Sequence, residues 1–267
     1  MATLVSFHAH PDDEAIATGG SMAKAAAAGH RVVLVVATRG EQGEPQPGVL
    51  ADGEALWERR VVETHRSAEV LGAERVEFLG YEDSGMMGEP TNDNPACFWQ
   101  ADLDEAADRL AAILRDVDAD VLTIYDEHGN YGHPDHIQVH RVGVRAAERA
   151  GVDRVFEATM NRDEVRRQIA EAAELMAEVF EEEDRADVED EQFGMPEEVI
   201  THAVDVTDHV QAKREAMQAH RSQIGPDTFF LKMPDEIFAR AFGTEWYIRH
   251  GVPRPAGAPF GGDLFEG

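Results

Sequence analysis

A single cysteine, Cys97, stands among the 267 residues, so no intrachain disulfide can form and a thiolate-based metal centre is excluded. Any bound cation must sit on imidazole and carboxylate. Basic residues are scarce too: 24 Lys and Arg against 53 Asp and Glu give a formal charge of -29, a field that repels phosphate backbones and anionic membranes. Nucleic acid is therefore not an expected partner. No window approaches the roughly 20 apolar residues of a membrane span, and no basic, apolar leader precedes the strand that begins by Leu4. Membrane insertion is not expected, and the expected location is cytoplasmic. A Gly-x-Gly-x-x-Gly phosphate turn is also missing, which weighs against a non-catalytic Rossmann-like binding module: after the first strand stands His-Pro-Asp-Asp-Glu, and Gly19-Gly20 comes too late.

What is present is an alternation of apolar strands and amphipathic helices, with 43% hydrophobic residues, enough for a sizeable core. Leu4, Val5 and Phe7 open a buried strand; Ala15 to Gly29 reads as a helix closed by Gly29, and Arg31 to Thr38 as a parallel strand covered on both faces. A Gly- and Pro-rich loop over 39–53, a helix over 54–72 and a strand over 76–79 follow. The long loop Tyr81 to Gln100 carries Met86, Met87, Phe98 and Trp99, too apolar for simple disorder, and reads as a wall of the site. Next come a helix over 101–116, a strand over Val121 to Tyr125, a helix over 133–150 with Pro134 in its first turn, and a strand over 152–158. Beyond these the pattern predicts a helix over 162–179, a solvated acidic run over 181–192, a strand over 199–206, a helix over 208–224 and a short strand at 246–248. The fold class is α/β: a Rossmann-like, doubly wound, mostly parallel sheet in residues 1–160, an appended C-terminal α/β part over 161–250 that completes the pocket, and an irregular tail over 251–267.

Two clusters carry the chemistry, His8-Ala9-His10-Pro11-Asp12-Asp13-Glu14 and Gly132-His133-Pro134-Asp135-His136, and each follows a strand. A doubly wound sheet sets its first and fourth strands side by side, so the clusters would meet across one crevice. Two histidines and one acid, with a position left for water, suit a catalytic divalent ion. The set available is His10 and Asp13 with His133 or His136; spacing does not choose between the last two. The bland alternative for Asp-Asp-Glu alone is a capped helix start, and His8, which alternates away from His10, reads as packing.

The sequence resembles the PIG-L/LmbE-like family of zinc-dependent N-acetylglucosaminide deacetylases. The resemblance rests on Ala9 to Glu14, His133 to His136, the loop Gly40-Glu41-Gln42-Gly43-Glu44, the Arg60 to Glu63 pair, Asp83-Ser84-Gly85-Met86 and Tyr131, and covers residues 3–145 firmly. It implies metal ligands His10, Asp13 and His136, zinc as the ion, with ferrous iron compatible with the same donors, and Asp12 as the base that activates water. It further implies His133 as the polariser of the carbonyl, held by Asp135, with Tyr131 as a second oxyanion contact and Arg60 and Asp83 on the sugar. The loop pattern is similar to the mycothiol branch of the family, whose substrate is N-acetylglucosaminyl-inositol; the alternative is an amidase of mycothiol S-conjugates or of another small-molecule amide. The expected partner is a small N-acyl glucosaminide, and the sequence is compatible with a homo-oligomer.

Overall fold

A computed structural model describes residues 1–171 and 193–266. The acidic run 181–192 and the end of the helix expected to reach residue 179 lie outside the described residues. Among the described residues, seven strands, β1 (Thr3–His8), β2 (Arg31–Val36), β3 (Arg75–Phe78), β4 (Val121–Tyr125), β5 (Arg154–Thr159), β6 (His202–Asp205) and β7 (Thr244–Arg249), form one sheet in the order β3-β2-β1-β4-β5-β7-β6. The first five, β1 to β5, are all parallel. The winding reverses between β1 and β4, where Leu4 lies opposite Val32 on one side and Val121 on the other. The two motif-bearing strand ends are therefore neighbours, at the place where an open α/β sheet leaves a crevice.

Alternation along β1 divides the core. Val5 and Phe7 face one apolar layer with Leu110, Leu114, Val139 and Val142, contributed by α3 (Leu103–Asp116) and the later helix α5 (Pro134–Ala150). Leu4 faces the other, with Met22, Leu71, Met217 and Tyr247. That second layer is built from α1 (Gly19–Ala27), α2 (Leu56–Val70) and the C-terminal part, so the appended residues roof the same sheet. The short helical turn α4 (Gly129–Gly132) joins β4 to α5, and α6 (Arg162–Glu171) follows β5.

The C-terminal strands β6 (His202–Asp205) and β7 (Thr244–Arg249) extend the sheet antiparallel, with Ala158 of β5 opposite Tyr247. Between them run α7 (Val210–Ala219), α8 (Phe229–Lys232) and α9 (Asp235–Phe242). The sequence pattern showed no sign of α8 or α9, which are one and two turns long and are held by clustered rings, Phe238 and Phe242 lying 4.7 Å apart. The helix expected over 15–29 is split. Glu14–Thr18 is a π-helical turn, and the regular α-helix starts only at Gly19. The tail is irregular, as its Gly and Pro content implies, yet Phe265 stacks on His30 with centroids 3.9 Å apart.

Candidate metal-dependent active site

The first motif turns sharply where β1 ends. The Asp13 carboxylate accepts the His10 backbone N–H at 2.8 Å, closing the turn on itself. Asp12 has φ of 95°, a left-handed conformation that a residue with a Cβ rarely adopts. Its carbonyl accepts from both Ala15 and Ile16, at 3.0 and 3.2 Å, and this double acceptance opens the π-helical turn. The second motif is a plain helix start. His133 is the N-cap of α5, Pro134 fills the first helical position, and His133 Nδ1 accepts the Asp135 backbone N–H at 3.1 Å.

Facing each other, the motifs bring the predicted ligand atoms together. Asp13 Oδ2 lies 3.5 Å from His10 Nδ1 and 3.4 Å from His136 Nε2. Those separations are long for hydrogen bonds but match the ~3.4 Å edge of a tetrahedron of donors around an ion at about 2.1 Å. The other nitrogen of His10 faces acids: Nε2 lies 3.1 Å from Asp135 Oδ2 and 3.4 Å from Asp83 Oδ1. Among the described residues, the buried triples whose donor atoms all lie within 4.8 Å of one another are other sets, His10 with His133 and His136, and His10 with Asp83 and Asp135. Chemistry separates these sets. His133 accepts a backbone N–H at Nδ1, so its neutral ring carries the proton on Nε2 and has no lone pair there for a cation. The Asp83–Asp135 pair takes the outer nitrogen of His10, as carboxylates do behind a ligating histidine.

The expected grip of Asp135 on the second ring nitrogen of His133 is not what forms. The Asp135 carboxylate instead contacts His10 Nε2 and accepts from the Ser84 backbone N–H at 2.9 Å and from the Ser84 hydroxyl. At the N-terminus of α5 its side chain points back over the first motif, while its N–H serves the cap. Arg60 is buried, donating to the carbonyls of Gly40 and Pro11 at 2.9 and 2.5 Å and lying 3.3 Å from Asp12 Oδ2. A side chain at Gly40, which has φ of 67°, would meet that guanidinium at 2.1 Å. Tyr131 is 47% exposed at the rim, with its hydroxyl 3.4 Å from His136 Nε2. His10, Asp12, Asp13, Arg60, Asp83 and His133 all line one open pocket of about 250 Å³, with Met86 and Tyr131 at its wall. Among the described residues, every lining residue precedes residue 134.

Electrostatics give these groups different tasks. Burial pushes the Asp12 carboxyl up to about 6, with the Arg60 guanidinium pulling the other way. Burial would raise Asp13 as well, but His136 and His10 beside it hold it far below the ordinary carboxylate range. Burial, reinforced by His10 and His136, lowers His133 to about 3; burial also brings His136 down to about 4 against the pull of Asp13. Both rings are neutral at pH 7. Burial lowers His10 as well, but Asp83 together with contacts to Asp13 and Asp135 outweighs it and raises this ring well above its usual value. Two adjacent acids, one poised near neutrality and one firmly ionised, are what a base beside a ligand requires.

Contacts that motif reasoning did not bring in are the one by which Ser84 fixes Asp135 and those among the buried group Glu14, Ser67 and His220 beneath the turn. Ser67 lies on the buried face of α2 together with Arg60, Glu63 and Thr64. His8 is packed as expected, bonded to Ser6, Thr18 and Tyr125. Tyr125 in turn stacks on His136 with centroids 4.5 Å apart.

Residues 5–147 match the family model described as PIG-L, GlcNAc-PI de-N-acetylase. A protein from Acidothermus cellulolyticus, 1D-myo-inositol 2-acetamido-2-deoxy-alpha-D-glucopyranoside deacetylase, is 43% identical over 100% of this chain and 95% of its own length. N,N'-diacetylchitobiose deacetylase from Pyrococcus horikoshii superposes with a TM-score of 0.58 at 22% identity, over 92% of this chain and 82% of that one. So does the 4-carboxy-2-hydroxymuconate hydratase of Pseudomonas putida KT2440, at 0.57 and 17% identity over 97% of this chain and 100% of that one. The scaffold thus hosts more than one reaction, and the activity must be argued from the site.

Proposed function

The chain belongs to the PIG-L family, and on that premise we propose that it hydrolyses the acetamide of 1D-myo-inositol 2-acetamido-2-deoxy-alpha-D-glucopyranoside, releasing acetate and the free amine. It is a deacetylase acting on an amide C–N bond. The observation that carries the reading is the placement of Asp13 Oδ2 between His10 Nδ1 and His136 Nε2, at 3.5 and 3.4 Å, with a second carboxylate, Asp12, on the adjoining residue.

His10, Asp13 and His136 would hold one divalent ion, zinc in our reading, with ferrous iron compatible with the same donors. Such an ion supplies Lewis-acid polarisation of the carbonyl and lowers the pKa of water toward about 7. Asp12, ionised above about pH 6, takes the proton of the attacking water as its oxygen bonds to the acetyl carbon. The same carboxyl then delivers that proton to the amide nitrogen as the C–N bond breaks. His133, neutral and protonated on Nε2, donates to the carbonyl oxygen as negative charge gathers there, and Tyr131 adds a donor from the rim. Asp135 orients His10 rather than His133. Arg60 holds Asp12 by its carboxylate and by the Pro11 carbonyl, and with Asp83 forms the polar wall that a sugar would meet.

The decisive measurement is acetate release, by protein with a defined metal content, over a panel of N-acetylglucosaminyl-inositol, other N-acyl glucosaminides and a mycothiol S-conjugate. Turnover of the first compound well above the rest is expected. Preferential cleavage of the S-conjugate amide would replace the deacetylase reading with the amidase one.

A further inference from the structure

Glu14 lies two residues beyond the proposed base and takes no place in the pocket lining. Its side chain is wholly buried beneath the turn, and both of its oxygens are committed. Oε2 accepts the backbone N–H of Asp12 at 3.0 Å. Oε1 accepts from the Ser67 hydroxyl at 2.5 Å and lies 2.6 Å from His220 Nε2. Ser67 is on α2 and His220 closes α7, so Glu14 is braced from two helices, one of them 206 residues further along the chain.

What this brace holds is an unfavourable conformation. Asp12 has φ of 95°, and its Cβ offers no reason to stay there. The conformation persists because its N–H is taken by Glu14 and its carbonyl by Ala15 and Ile16. The same conformation sends the two neighbouring carboxylates apart, Asp13 to His10 and His136, and Asp12 to Arg60 and the pocket. A helix cap does not need this arrangement, because the Asp13 side chain caps nothing in the π-helical turn that follows. We infer that Glu14, braced by Ser67 and His220, is a positioning residue that sets the backbone of Asp12 so that its carboxylate faces the reacting water. The inference rests on Asp12 being the base.

The test is a double-mutant cycle on the zinc-loaded full chain, reading kcat, KM and bound metal. E14M keeps the bulk and removes the acceptor; kcat should fall about 10²-fold, as for a reacting group displaced by about 1 Å, with KM and metal content unchanged. E14Q keeps an oxygen for the Asp12 N–H and can turn its amide toward Ser67 and His220, and it should restore kcat to within about 5-fold of the native value. In a D12N background E14M should change the residual rate less than about 2-fold, because two residues acting as one unit are not additive. Native kcat in E14M, or a loss that adds in full on D12N, would overturn the inference. Should E14M fail to fold, S67A removes one brace only; kcat about 5-fold lower at unchanged KM, with no effect in D12N, supports the inference and native kcat overturns it. Near-normal turnover by D12N itself would instead overturn the assignment of the base.

Discussion

The two halves of the pocket are held by opposite means. The second motif is self-supporting: Pro134 starts α5, His133 caps it through the N–H of Asp135, and each of these contacts spans two residues or fewer. The first motif depends on the rest of the molecule. It forces Asp12 to φ of 95°, runs into a π-helical turn, and is braced from two distant segments, by Arg60 and Ser67 of α2 and by His220 at the end of α7. A ligand can be presented by any regular helix start, because a metal needs only a lone pair at the right distance. A base beside its own ligand needs two adjacent side chains to diverge, and local backbone preference does not provide that.

Removal of side chains from each half tests the contrast where the effects are largest. H136A should lose tight metal binding and about 10³-fold or more in activity, since it takes away one of the three proposed donors. D12N should leave metal content intact and cost about 10²- to 10⁴-fold in kcat, the range for a lost general base. H133A should also keep its metal while losing about 10²- to 10³-fold, the range for one oxyanion donor. Metal analysis beside turnover checks all three, and metal lost from H133A but kept by H136A would exchange the two roles.

The contrast also explains what could be read in the sequence. The parallel half of the sheet was legible because Val32–Val36 is an unbroken apolar run and Val121–Tyr125 is interrupted only by Thr123, and both motifs were legible because their residues are contiguous. The second motif could even be placed on its element, since Pro134 marks a first helical turn. The hidden part was every contact made at a distance. Asp135 reaches back 125 residues to His10 instead of two to His133, and no spacing rule carries such a partner. His220 is hidden for the same reason: its partner Glu14 lies 206 residues away. The short helices α8 and α9 were missed because one or two turns carry too few periods to declare themselves.

Acid should act on the two halves with opposite sign in the metal-free protein. His133 and His136 are held at about 3 and about 4, below the ordinary value of 6.5, so the unfolded chain takes up protons first. The stability they contribute is complete above about 6.5 and is lost as pH falls toward about 4, by roughly 1 kcal/mol per unit for each ring. His10 is raised, so its contribution is complete below 6.5 and fades as pH rises through its folded value. Below 6.5 His10 is protonated in both states, and Asp12, pushed up to about 6, opposes the two rings as a single group. Denaturant midpoints of the metal-free chain should therefore fall between pH 6.5 and 4.5, and H133Q should flatten that fall. A profile unchanged by H133Q would show that the ring titrates alike in the folded and unfolded chain.

The smallest effect sharpens the contrast from the other side. P134A touches the frame of the second motif without touching its chemistry, and that frame should tolerate the change. Proline at the first helical position gives up an N–H that would have no intrahelical partner, and alanine there keeps the helix. What is lost is restriction of the unfolded chain, worth about 0.4 to 1 kcal/mol, or a melting temperature lower by about 1 to 4 °C. The cap between His133 and the Asp135 N–H remains, so the ring keeps its proton on Nε2 and kcat should stay within about 2-fold of the native value. Calorimetry with a single turnover assay reads both quantities. A loss of kcat in P134A comparable to that expected for E14M would mean that the second motif, too, is positioned by its frame rather than by its own cap.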